Sequence, residues 1–167
     1  KYYHRTKNIK YNMETTRHLM DKRIKECVGA VQRGDIITVT MHIIQYHVNP
    51  NACDVNGCTL LHWSAINQRY DITLFLINQG ADVNIPGGDL NETPLQWAIR
   101  SQYIPVIDLL IQKQSSLSYV SNAGYNSLHL ACHSGNTNIV LLCLLNGSHI
   151  DSLNNEGETP LLWILKH

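Results

Sequence analysis

One phrase recurs four times in this chain, and its spacing limits what the chain can fold into. It reads Thr59-Leu60-Leu61-His62-Trp63-Ser64-Ala65, then Thr93-Pro94-Leu95-Gln96-Trp97-Ala98, then Ser127-Leu128-His129-Leu130-Ala131, then Thr159-Pro160-Leu161-Leu162-Trp163. The central leucines, Leu61, Leu95, Leu128 and Leu161, stand 34, 33 and 33 residues apart. A unit of that length cannot bury a core alone, so copies must stack, each covering its neighbour's apolar face. After each phrase comes a second apolar stretch at helical spacing, at 72–77, 106–111 and 139–145. Each period then closes on a turn, where Gly80 and Gly147 permit the left-handed backbone that ends a helix. The pattern predicts an all-α solenoid of about five repeats, each a pair of antiparallel helices with a β-hairpin-like turn.

A period near 33 with the signature Thr-Pro-Leu-His-x-Ala resembles the ankyrin repeat. Repeats are expected at about 25–54, 55–86, 87–120, 121–153 and 154–167, with residues 1–24 outside them as a basic N-terminal extension or cap. The first repeat keeps only Ala30, Gly34-Asp35 and the turn Asn49-Pro50-Asn51, the pattern of a capping unit. The last stops inside its first helix, and Lys1 stands where a start methionine would, so an excised fragment with a further repeat beyond it is expected. Thr59, Thr93 and Thr159 are placed to cap helices, and Pro94 and Pro160 suit a first helical turn, where a missing N–H costs nothing. His62 and His129 are expected to tie neighbouring repeats by hydrogen bonds. Gln96 replaces the usual histidine, and that repeat is expected to lose one such tie.

Composition excludes several functions. The chain has 13 basic and 13 acidic residues, and a neutral chain lacks the field that nucleic acid binding requires. Eight of the basic residues lie in 1–26 with only three acids, so that segment is about +5 and the rest about −5. The five cysteines show no disulfide framework spacing. Cys53, Cys58 and His62 lack the paired spacing and fourth ligand of structural zinc. The sequence shows no phosphate loop, no nucleophile–base constellation and no apolar run of membrane-spanning length. It therefore assigns no catalytic residue, no metal and no cofactor, and a protein–protein interaction module, monomeric and soluble, is expected.

The remaining feature is aromatic. Trp63, Trp97 and Trp163 occupy the same position in three repeats, with Leu130 in the fourth. Trp63 and Trp163 read best as core, although indoles along one face would also line an apolar groove. The stretches Leu60-Leu61-His62-Trp63-Ser64-Ala65-Ile66-Asn67-Gln68-Arg69 and Gly87-Gly88-Asp89-Leu90-Asn91-Glu92-Thr93-Pro94-Leu95-Gln96-Trp97-Ala98 closely resemble the ankyrin domain of membrane palmitoyltransferases of the Asp-His-His-Cys type, the huntingtin-interacting enzymes and their fungal relatives. The resemblance covers roughly 27–167. It implies a cytosolic stack, on an internal membrane such as Golgi or endosomal vesicles, that recruits substrates for a catalytic domain absent from this chain. It also implies a ligand, a disordered segment of the Val-Val-x-x-Gln-Pro type, and a peptide-binding site at Asn67 and Trp97. A standalone ankyrin adaptor or inhibitor acting on a transcription factor or other signalling protein is the alternative that shares the fold.

Overall fold

The computed structural model describes residues 2–166, and side chains from residue 18 onward. Among these residues the elements are α1 (Tyr2–Arg33), α2 (Ile36–Ile44), α3 (Leu60–Ile66), α4 (Tyr70–Asn78), α5 (Pro94–Ser101), α6 (Ile104–Gln112), α7 (Ser127–His133), α8 (Thr137–Leu145) and α9 (Pro160–Lys166). Extended pairing among them is confined to two antiparallel bridges, Cys53 with Thr59 and Gly87 with Glu92, each closing the hairpin that precedes a repeated phrase. The helices form two rows. In one, α1, α3, α5, α7 and α9 each pack on the next; in the other, α2, α4, α6 and α8 do so.

The repeated residues perform the expected mechanics. Leu61, Leu95 and Leu128 are buried between the rows, whereas Leu161 is exposed with Leu162, Ile164 and Leu165 on the last helix. Asp35 caps α2 by accepting the Thr38 N–H at 3.0 Å, Thr93 Oγ accepts from Gln96 N, and Thr159 Oγ accepts from Leu162 N. Pro94, Pro105 and Pro160 all fall in first turns. The boundary drawn at residue 24 lies inside α1, which runs unbroken into the first repeat and buries Cys27, Ala30 and Val31 there.

Two kinds of tie join the repeats. In the first, the Thr59 N–H donates to His62 Nδ1 (3.0 Å), which fixes the tautomer, and His62 Nε2–H donates to the Glu92 carbonyl at 2.8 Å. His129 Nε2 lies 3.1 Å from the Glu158 carbonyl, while its Nδ1 meets Asn126 Oδ1 at 2.7 Å rather than a backbone N–H. Gln96 corrects the expectation of a lost tie. Its Oε1 accepts the Thr93 N–H (2.9 Å) and its Nε2 donates to the Tyr125 carbonyl (2.9 Å). An amide offers one acceptor and one donor end, as a neutral imidazole does, so it fills the same role. The second tie is a pair of asparagine rungs: Asn51 Oδ1 accepts the Asp82 N–H at 2.7 Å, and Asn84 Oδ1, 33 positions on, accepts the Ser116 N–H at 2.8 Å. A left-handed residue follows each second-row helix, at His47, Gly80, Gln114 and Gly147.

Candidate functional site

Trp63 and Trp97 are each the fourth residue of a first-row helix, α3 and α5, so stacking the repeats brings their rings together. The centroids are 5.6 Å apart with planes at 87°, an edge-to-face pair, and the His62 ring meets Trp97 at 5.2 Å. Such geometry sets a ring's positive edge against its neighbour's negative face. Both indoles pack on the core while keeping part of their surface open. Trp63 is held by its own hairpin: its Nε1–H donates to Asp54 Oδ2 (3.0 Å), and Asp54 Oδ1 accepts the N–H groups of Asn56 and Cys58.

The paired glycines before α5 seat the second indole. A Cβ on Gly87 would lie 2.4 Å from the Gly57 carbonyl oxygen, so only glycine lets the two hairpins dock. Gly88, at φ +73°, lies under the indole, where a Cβ would come within 3.2 Å of Trp97 Cζ2. Its N–H donates to the Asn56 carbonyl across the hairpin pair.

Asn67 is the C-cap of α3 and half-buried. Its Nδ2 donates to the Trp63 carbonyl at 2.9 Å, which fixes the amide one turn beyond Trp63 and leaves Oδ1 and a second N–H for a ligand. Asn67 and Trp97 are thus connected through Trp63, which bonds to one and stacks on the other. The bond runs to the Trp63 main chain, so it fixes the amide on α3 without setting it against either ring.

Trp63 was read as core from its position, but its partly open face gives it a share in this surface. Trp163 is buried, with Tyr125 at 4.4 Å and His133 at 4.8 Å. Sequence reasoning also missed an ion pair between a buried carboxylate and an exposed guanidinium. Glu92, 2% exposed, receives Arg100 through both Nε (3.0 Å) and Nη2 (2.6 Å). The same offset recurs in Glu158 with Lys166, and that eight-residue spacing of opposite charges was the available signal.

The titratable groups are set for structure. Burial pushes the Cys27 and Cys143 thiols up to about 12 and Cys58 to about 11, which keeps them protonated and poorly nucleophilic. Desolvation lowers His42, His62 and His129, so these rings stay neutral. Both ring nitrogens of His62 are occupied, and no group of three or more histidines, cysteines or acids converges as a metal site among the described residues. Nor is any helix among them long and apolar enough to cross a membrane.

A family model for ankyrin repeats in three copies matches residues 28–121, and one for many copies matches 110–161. The chain belongs to the ankyrin-repeat family. Its ankyrin stack is similar to "Palmitoyltransferase AKR1" of Lachancea kluyveri, 37% identical over 80% of this chain and 19% of the relative. It is also similar to "Palmitoyltransferase ZDHHC13" of Homo sapiens, 32% identical over 95% of this chain and 25% of the relative. "Palmitoyltransferase akr1" of Schizosaccharomyces pombe is 35% identical over 83% of this chain and 22% of the relative. The chain therefore spans a fifth to a quarter of these relatives and is homologous to their ankyrin-repeat region. Ankyrin repeats are protein-binding surfaces, and partners of that class follow from the family.

Proposed function

We propose that this ankyrin stack recruits protein substrates for a membrane palmitoyltransferase by gripping a short disordered segment of the Val-Val-x-x-Gln-Pro type, with the acyl-transfer domain outside this chain. The observation that carries the reading is the half-open Trp63–Trp97 pair, with the Asn67 amide fixed to the Trp63 main chain one turn on. A proline ring lies flat on an indole face, and Trp97 provides one. The free ends of the Asn67 amide bond the glutamine or the peptide backbone just before the proline. Likeness to named palmitoyltransferases supports a setting on the cytosolic face of an internal membrane.

A disordered ligand loses entropy when it is ordered, so micromolar binding is expected, about −8 kcal/mol. Calorimetry with the peptide Val-Val-Ala-Ala-Gln-Pro tests the reading. Trp97→Ala should remove at least ~2 kcal/mol, roughly thirtyfold in affinity, and Asn67→Ala about 1 kcal/mol. Trp97 also supports Trp63 and His62, so each variant must show a cooperative melt. A folded Trp97→Ala protein that binds as tightly as the parent would refute the assignment.

A further inference from the structure

A hollow of about 610 Å³ opens between α1 and α2, and its lining includes Lys22, Lys25, Glu26, Gly29 and Arg33 of the first helix and His42 of the second. Three cations there face one carboxylate. Glu26 lies 3.9 Å from Lys22, with both side chains in solvent. Among the described residues neither Lys25 nor Arg33 has a carboxylate within salt-bridge distance. The charges just outside the lining offset one another. Arg23 lies over the Tyr46 ring at 4.6 Å, and Asp35 gives one oxygen to the Thr38 N–H and the other to its hydroxyl. Asp21 lines the separate hollow beside the first hairpin. Two further features show construction. Gly29 interrupts α1, where glycine weakens a helix. A Cβ there would meet only Arg33 Nη1, at 3.2 Å, so the missing side chain lets the guanidinium fold back along α1. The floor holds His42, 2% exposed, whose Nε2 lies 4.0 Å from Glu26 and whose Nδ1 has no hydrogen-bond partner. Buried polar atoms are nearly always paired, so this one, beside three cations, points to a ligand.

We infer that this hollow binds a phosphate ester of a small polyol. The surplus of cations matches a phosphate dianion, which a single carboxylate would leave unbalanced. A guanidinium fork with lysine point charges around it suits the three oxygens of such a group. The volume is that of a small-ligand cleft, more than a bare phosphate fills. His42 supplies polarity at the floor: a neutral imidazole has one N–H to give, and an anion over the ring favours the second. A lipid head group and a soluble sugar phosphate share this chemistry. Upstream on α1 the sequence adds Arg5, Lys7, Lys10 and Arg17 against Glu14. A run that basic suits a surface of many phosphates, so a lipid head group is the source expected.

Two arms separate the sources: calorimetry of the full chain with soluble inositol trisphosphate, and flotation with phosphatidylcholine vesicles made with or without phosphatidylinositol bisphosphate. Binding is expected in both, tighter at the vesicle. Binding of the trisphosphate alone assigns a soluble ligand, and binding of the vesicles alone a lipid. Lys25→Gln/Arg33→Gln, changes at two exposed side chains, should weaken binding roughly tenfold or more. Lys113→Gln, an exposed charge at the end of α6, should cost about twofold at most. Gly29→Ala should raise the melting temperature by roughly 1–4 °C yet weaken binding roughly threefold, because its Cβ displaces the guanidinium. A glycine of merely structural importance would not divide those two readouts. In nuclear magnetic resonance spectra the His42 ring signals should move on saturation while those of His133 stay. No binding in either arm overturns the inference, as does binding that the double variant leaves unchanged or that Lys113→Gln lowers equally.

Discussion

Gly87→Ala isolates the docking of one hairpin on another. The backbone at Gly87 is not left-handed, so alanine fits its conformation; what it meets is the Gly57 carbonyl oxygen at 2.4 Å and the Cys58 Cα at 3.1 Å. Real Cβ contacts stop near 3.0 Å, so the hairpins must part by about 0.6 Å, and neither obstacle is a flexible side chain that could swing aside. Overpacking of this kind costs about 2–3 kcal/mol, which lowers the melting temperature of a chain this size by roughly 5–10 °C. Gly57→Ala is the control. Its Cβ meets nothing within 4 Å, but φ is +77°, so it carries only the left-handed penalty of about 1 kcal/mol. Thermal and urea melts followed by circular dichroism rank the two. The same shift lifts Gly88 from beneath Trp97, so the alanine variant should also bind the Val-Val-Ala-Ala-Gln-Pro peptide more weakly. If Gly87→Ala melts no lower than Gly57→Ala, the hairpin contact does not bear the role given to it.

Acid should weaken the stack through its histidines. The folded chain holds His62 below its ordinary value of 6.5, chiefly by desolvation, so the unfolded chain binds the proton more readily and stability falls as pH drops below about 6.5. His62→Gln, which copies the amide solution already present at Gln96, should fold and show a shallower loss of urea midpoint between about pH 7.5 and 5; an unchanged slope would rule His62 out as a contributor. Gln114→Gly should stabilise, because Gln114 sits at φ +63° where Gly80 and Gly147 stand in neighbouring repeats. A gain of about 0.5–1 kcal/mol is expected, read as a melting temperature higher by roughly 2–4 °C, and a drop would show that its side chain matters.

The fold was legible because its causes are local and repeated. Leu61, Leu95 and Leu128, the threonine caps and the first-turn prolines act within one unit, and the 33-residue period then fixes who packs on whom. What was misread depends on atoms or on distant partners. Gln96 looked like a loss because it was compared by residue type, whereas the two hydrogen bonds need only an acceptor and a donor at about the right reach. The sequence offers nothing to mark Gly87 as indispensable, since the atom it must avoid belongs to a backbone 30 positions away. Trp63 and Trp163 occupy one position in the repeat yet differ in exposure, because Tyr125 and His133 lie against the second at 4.4 and 4.8 Å, whereas Trp97 meets the first only edge to face at 5.6 Å. The hollow between α1 and α2 was hidden for a related reason: the first repeat keeps little of the signature, so its helix read as an end piece.

Two indoles 5.6 Å apart and nearly perpendicular do not absorb light as strangers. Their transition dipoles couple, and a coupled pair in a fixed chiral arrangement gives paired bands of opposite sign in circular dichroism, which a single ring cannot. Trp163, enclosed by a tyrosine and a histidine at the far end of the stack, contributes as a separate chromophore. The chain thus carries an unlabelled gauge at its groove: anything that tilts or parts the Trp63–Trp97 pair alters the couplet, and the distant indole supplies the baseline against which that change is read.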